Sequence, residues 1–375
     1  MGHRLCAESE YPAALLAVAA YRLPGSDRAF PAGPLPSEEW AALLEAAREH
    51  RMTGLLTAAI GAGAFPATCG QAREVTSAHA KNQMRVLALE GELLRILGLL
   101  EGAGIESRVL KGTAAAHLDY PDPALRSVNG LDVLVRADDI ARSVAVLGTA
   151  GFERTPAEPR PGFDRRFDKG MTLRPPAGYE LDLHRTFVPG PWGRMVDLDA
   201  VWDAGEEFTV AGRAVRALSR PNRFLHACYH AALGNWPLRL GSLRDVAEML
   251  RVLDHAPAEV LRTAAAWGAE AVVAAAVADA VRLLGIKVPG ELARWAVAYV
   301  PSAREESWLG LHAQPDKTFA AQALATLRML PWRDKPAYLR ALAFPDAHHT
   351  EARHHSPLSR FTYALREARG GAPVK

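Results

Sequence analysis

Two aspartates sit where a buried strand would have no use for charge. Asp132 lies within Leu131-Asp132-Val133-Leu134-Val135, and Asp182 within Glu180-Leu181-Asp182-Leu183-His184. Each run has the length and apolar content of a short strand. Side chains alternate between the two faces of a strand, so one reading puts both carboxylates on the solvent side of an edge. The other keeps them inside because they hold a hard divalent cation, which takes carboxylate oxygens as ligands. By the same period of two, Glu180, Asp182 and His184 share one face.

The segments around Asp132 have a definite order. Val86, Leu89, Leu93, Leu97 and Leu100 recur at three- and four-residue steps and stop at Gly102 and Gly104, the pattern of an amphipathic helix with a glycine end. An extended run from Ser107 to Leu110 follows and leads into Lys111-Gly112-Thr113, where glycine permits close backbone approach and lysine can meet a phosphate. Tyr120-Pro121-Asp122-Pro123 reads as a turn, with Arg126 and the Asp132 strand after it. Asp138 could cap a helix from Ile140 to Thr149, which Gly151 ends.

Taken together, Val109-Leu110-Lys111-Gly112-Thr113, Tyr120-Pro121, Arg126, Leu131 to Val135, Gly151-Phe152 and Leu181-Asp182-Leu183-His184 resemble an uncharacterised bacterial nucleotidyltransferase family of the polymerase-beta-like superfamily. Leu218 to Leu225, His226, His230 and Arg244-Asp245-Val246 resemble the helical segment beyond that family's catalytic sheet, and Phe344-Pro345 with Tyr363 to Arg366 its C-terminal end. The resemblance covers the chain from about Lys81 onward. It implies an α+β fold: a minimal mixed-sheet core with helical N- and C-terminal regions. It also implies Mg2+ as the cofactor, held by three aspartates on neighbouring strands.

Here the pattern departs from the family. The alignment puts Asp132 and Asp182 on two of the aspartates, while the first falls on Gly130, which offers no ligand. Glu180 is the favoured substitute, so Asp132, Asp182 and Glu180 are the expected metal ligands, with Asp132 and Asp182 catalytic. An exposed carboxylate at the start of a strand is the plainer reading of Glu180. Lys111, Gly112, Thr113, Arg126 and His184 are expected around the nucleotide. The activity implied is transfer of a nucleoside monophosphate from Mg-NTP to a hydroxyl-type acceptor on a small molecule, peptide or protein, with release of pyrophosphate. The alternative that Gly130 raises is a catalytically impaired member that binds a nucleotide, peptide or partner without turnover. A helical scaffold with an incidental sheet would leave Asp132 and Asp182 far apart.

Other features carry less chemistry. Arg165, Arg166 and Lys169 read as a charged strand edge that discourages pairing. His226 and His230 are four apart on a helix beginning near Asn222, but Ala227, Cys228 and Tyr229 between them supply no glutamate base for a zinc hydrolase. A hydrogen bond from His230 to Asp245 is the simpler use. The pairs His348-His349 and His354-His355 read as solvated loop histidines.

Composition bounds what remains. A 375-residue chain that is 49% hydrophobic has material for two or three compact units. We place a helical region at 1–80, a nucleotidyltransferase-like core at 81–215 and a helical domain at 216–375. A net charge of +2 with interspersed signs lacks the footprint of a nucleic-acid binder. Cys6, Cys69 and Cys228 have no paired spacing, which fits a reducing, cytoplasmic setting. The apolar run Ala13 to Ala20 is too short to span a bilayer, so no membrane association is expected.

Overall fold

The structure is a computed structural model; it describes residues 7–154, 157–234, 238–253, 257–287, 290–312 and 319–346. The paired histidines from His348 to His355, the Tyr363 to Arg366 helix and Cys6 lie outside the described residues. The fold is α+β, with one mixed sheet and helices on both of its faces.

Seven strands form the sheet: β1 (Ser107–Val109), β2 (Leu131–Val135), β3 (Glu153–Arg154), β4 (Gly170–Arg174), β5 (Leu181–His184), β6 (Gly205–Val210) and β7 (Arg213–Leu218). Their order is β3-β4-β5-β2-β1-β7-β6, which makes β2 the central strand. β2 and β5 run parallel with Asp132 directly opposite Asp182. That position rules out the edge-strand reading of both carboxylates.

The two faces of the sheet differ as the strand period requires. Leu131, Val133, Val135, Leu181 and Leu183 point into a core shared with the helix Cys69–Gly102 and the helix Ile140–Thr149. Asp132 and Asp182 take the opposite face, beneath the helical part of the molecule. The long helix starts seventeen residues before the expected Val86, because the Thr68 hydroxyl and the Gln71 side chain form a reciprocal capping box there. β4 and β5 form an antiparallel hairpin, and Gly178 in its turn has φ +81°.

A second core joins the N-terminal helices to helices from later in the chain. Trp40, Leu43, Leu44 and Ala47 are buried along one side of the helix Ser37–Glu49. They belong to the same cluster as Leu243, Val246 and Val272 from later helices. Arg244 reinforces this junction by donating to the carbonyl oxygens of Ala19 and Tyr21, both at 2.7 Å. The alanine-rich helix Glu270–Leu283 is packed inside this core. Among the described residues no helix is long and apolar enough to cross a membrane.

Candidate active site

β2 and β5 present Asp132 and Asp182 side by side at the floor of a cleft of about 540 Å3. The Lys111 ammonium donates to Asp132 Oδ1 at 2.6 Å, and His184 Nε2 lies 2.9 Å from the same oxygen. The Thr172 hydroxyl donates to Asp182 Oδ1 at 2.7 Å. Burial works against the charge on Asp132, but Lys111 and His184 outweigh it and hold the carboxyl well below the usual range.

Lys111 reaches Asp132 from an unexpected element. Instead of a phosphate-cradling loop, Lys111-Gly112-Thr113 is the first turn of a helix, Lys111–Leu118. The Leu110 N–H donates to the Asp132 carbonyl at 2.9 Å, and Lys111 itself has a left-handed φ of 46°. Such a conformation costs a non-glycine residue about 1–2 kcal/mol, so the surrounding packing enforces the position of the ammonium. Gly112 lines the cleft and lies close to Val128. Thr113 is buried and does not line the cleft.

Arg126 is the clearest departure from expectation. Its guanidinium is 2% exposed and turns away from the cleft, donating from Nε and Nη2 to the two oxygens of Asp245 at 2.7 and 2.8 Å. Tyr120 donates to the same carboxylate at 2.8 Å, so Asp245 is the counterion of Arg126 and not the simple partner expected for His230. A buried guanidinium has to be matched by an anion, and Asp245 is the nearest.

Glu180 also differs from its expected part. It lines the rim, but its carboxylate accepts from Arg174 at 2.6 Å, with both side chains 56% exposed. The donor atoms of Asp132, Asp182 and His184, by contrast, all lie within 4.8 Å of one another. His184 Nδ1 is buried without a hydrogen-bond partner, and burial with the Lys111 charge keeps the ring neutral. A single ring proton therefore belongs on Nε2, donated to Asp132, where His184 orients a ligand instead of serving as one. Two carboxylates then remain for a divalent ion. That donor set fits Mg2+, which is commonly held by one or two carboxylates together with substrate phosphates.

Gly130 lies two residues before Asp132 and also lines the cleft. An added Cβ there meets only the Glu180 carbonyl oxygen, at 3.2 Å, a tight contact that requires that backbone to give by a few tenths of an ångström.

The structure adds residues to the cleft that the sequence did not place there. Of the supposed edge run, Arg165 pairs with Asp138 and Arg166 with Asp334 on the surface, whereas Lys169 enters the cleft. Burial and the neighbouring Lys111 lower the Lys169 pKa. Arg51 and Arg239 join the lining from outside the sheet region, as do Tyr229 and His230. His226 lies behind the cleft with its ring 4.7 Å from that of Phe187. Burial and the Lys111 charge push His226 and His230 well below the ordinary imidazole pKa, so both rings are neutral. The segment His230–Gly234 is a π-helical turn, a form often found at functional sites. No local motif marks Arg51 or Arg239, since only the packing of distant helices brings them here.

The chain is similar to two solved structures of the antibiotic-resistance factor ANT(2'')-Ia. One is a solution structure and the other a complex with adenylyl-2''-tobramycin. Each is 15% identical with a TM-score of 0.35, covering 49% and 48% of this chain and 92% and 96% of theirs. An antigenic nucleotidyltransferase-like protein from Paracoccidioides brasiliensis is 15% identical with a TM-score of 0.32, over 54% of this chain and 94% of its own. No curated protein sequence matches the chain. Residues 36–285 match the family described as "Uncharacterised nucleotidyltransferase", spanning the Asp132–Asp182 pair and the helices above it, and the chain belongs to that family.

Proposed function

We propose that the chain transfers a nucleoside monophosphate from an Mg-NTP to a hydroxyl-type acceptor, releasing pyrophosphate. The observation that carries this reading is the in-register Asp132–Asp182 pair at the floor of a cleft rich in cations. In the reaction the acceptor oxygen attacks the α-phosphorus in line, a new O–P bond forms, and the bond from the α-phosphorus to the bridging oxygen of pyrophosphate breaks. A divalent ion on Asp132 and Asp182 would supply charge neutralisation and orientation for the triphosphate.

The chain's own residues account for the remaining tasks. Lys111 and His184 keep Asp132 ionised and fixed, which makes it a good ligand and a poor base. The acceptor proton is therefore assigned to Asp182, whose carboxylate accepts from Thr172. Lys111 and Lys169 lie beside the carboxylates and offset phosphate charge. Four cationic side chains, Arg51, Lys111, Lys169 and Arg239, face three carboxylates in the lining. This balance suits a polyanion. Calorimetric titration of the four NTPs with Mg2+, on the native chain and on Asp132→Asn, tests the reading. Tight binding of an NTP that needs both Mg2+ and Asp132 supports it; binding indifferent to both sinks it.

Gly130 favours a second reading, in which the same cleft binds a nucleotide without turnover. It places no ligand beside Asp132, and an added Cβ there would press on the Glu180 carbonyl oxygen alone. Under that reading Mg-NTP binds tightly only to Gly130→Asp.

A further inference from the structure

We infer that Arg51 and Arg239 form an oxyanion-binding end of the cleft that takes a phosphate group. Naming the nucleotide as a source of that phosphate rests on the nucleotidyltransferase reading; the oxyanion site itself does not.

Arg51 occupies the turn between the helix Ser37–Glu49 and the helix Thr53–Gly61, with a left-handed φ of 64°. The turn is clamped onto the start of the helix Leu240–Leu253. The Leu240 N–H donates to His50 Nδ1 at 3.1 Å, and a Cβ added to Gly241 would come within 2.6 Å of the His50 carbonyl oxygen. This clamp sets Arg51 beside Arg239, and both line the cleft. An arginine held in a conformation that costs about 1–2 kcal/mol, at a junction between distant helices, is positioned by the fold and not left to wander.

Its partners are what is missing. Arg51 and Arg239 are half-buried, whereas the fully buried Arg126, Arg223 and Arg244 are matched by Asp245, Asp119 and Glu248. Neither Arg51 nor Arg239 forms an ion pair with any described carboxylate, and Arg51 Nε is buried without a hydrogen-bond partner. Burial, with the like charges of Arg126 and Arg239, pulls the Arg51 pKa down to about 10. Tyr229 adds a neutral donor: it lines the same cleft, is fully buried, and its hydroxyl has no partner. Two guanidinium forks lining one space match the several acceptor oxygens of a phosphate better than the two of a carboxylate. The guanidinium contact expected at Arg126 thus falls to Arg51, between two N-terminal helices, and to Arg239, just before the helix Leu240–Leu253.

The phosphate could be the β,γ end of a nucleoside triphosphate or a group on a phosphorylated acceptor. Calorimetric titration separates these sources, using pyrophosphate, inorganic phosphate, an NTP with Mg2+ and the corresponding NMP. The full chain, Arg51→Gln, Arg51→Lys and Arg239→Gln are compared, with a thermal melt of each to confirm folding. We expect pyrophosphate to bind the native chain and to weaken about ten- to hundredfold in Arg51→Gln, the loss of a charge-assisted contact. Arg51→Lys keeps the charge without the fork and should fall between the two. Parallel weakening of the NTP, with the NMP unchanged, identifies the nucleotide as the source. Weakening of pyrophosphate and inorganic phosphate in a chain that binds no NTP identifies a phosphorylated acceptor, and the nucleotidyltransferase reading then falls alone. Pyrophosphate and phosphate affinities that are equal in the native chain and Arg51→Gln, or absent from both, overturn the inference.

Discussion

Arg126 and Asp245, 119 residues apart, form a two-pronged ion pair at 2.7 and 2.8 Å that joins the approach to β2 with the helix Leu240–Leu253. Both side chains are almost fully shielded from water, so each depends on the other. Removing one partner of such a pair leaves an uncompensated buried charge and costs about 3–5 kcal/mol. Asp245→Ala should therefore lower the denaturation midpoint sharply. Arg126→Met combined with Asp245→Leu should recover much of the loss, because neither charge then remains buried. Chemical denaturation of the single and double variants checks this, and additive losses would contradict it.

Asp132 and Asp182 should differ from Arg126 in what they affect. They face the cleft, and their substitution by asparagine keeps shape while removing charge. Each variant is expected to lose about two to four powers of ten in transfer rate, as other losses of key catalytic groups do. Melting temperatures should change little beside that loss. Pyrophosphate release assays alongside thermal melts make the comparison, and full activity in both variants would move the reaction elsewhere.

The buried histidines predict an acid limb of stability. His226 and His230 have folded pKa values far below their ordinary value, so the unfolded chain binds protons near pH 6.5 while the folded chain does not. The unfolded state thus holds more protons as pH drops below that point, and stability falls with it. Each such histidine contributes a slope of about 1.4 kcal/mol per pH unit. Melting temperatures should be flat from pH 8 to 7 and decline from pH 6.5 to 5, less steeply in His226→Leu. Parallel declines in both proteins would show that His226 plays no part.

Gly170 is expected to be sensitive for a backbone reason. It pairs with His184 across β4 and β5, has φ +154°, and an added Cβ would meet the Leu183 carbonyl oxygen at 2.0 Å. Gly170→Ala must displace the strand that carries Asp182 and His184, at a cost of about 1–3 kcal/mol. Gly148 provides the control, since it lies in the helix Ile140–Thr149 with nothing within 4 Å of an added Cβ. Gly148→Ala should be neutral or stabilise by about 0.5–1 kcal/mol. Thermal melts of the two variants would expose an error if Gly170→Ala melted with the native chain.

The sequence by itself determined the two strands that carry Asp132 and Asp182 and the apolar face of each. Alternation along Leu131 to Val135 and Leu181 to His184 is a local property, and one side of each strand had to be apolar for the sheet to bury. The helix that begins at Val86 by periodicity was legible in its C-terminal half, where buried leucines recur. Its first half, largely exposed, was set by the Thr68 and Gln71 cap.

Only the tertiary structure decided which charges meet. Arg126 lies within six residues of Asp132 in the sequence, yet its guanidinium belongs to Asp245, because a buried arginine takes the anion that packing brings to it. Lys169 and Arg51 look like surface charges in the chain, and the fold carries them into the cleft. Periodicity records which face of an element is buried but not what lies across from it. The carboxylate floor was therefore readable from two short strands, and the cations around it were not, since they come from segments whose encounter depends on the packing of the whole chain.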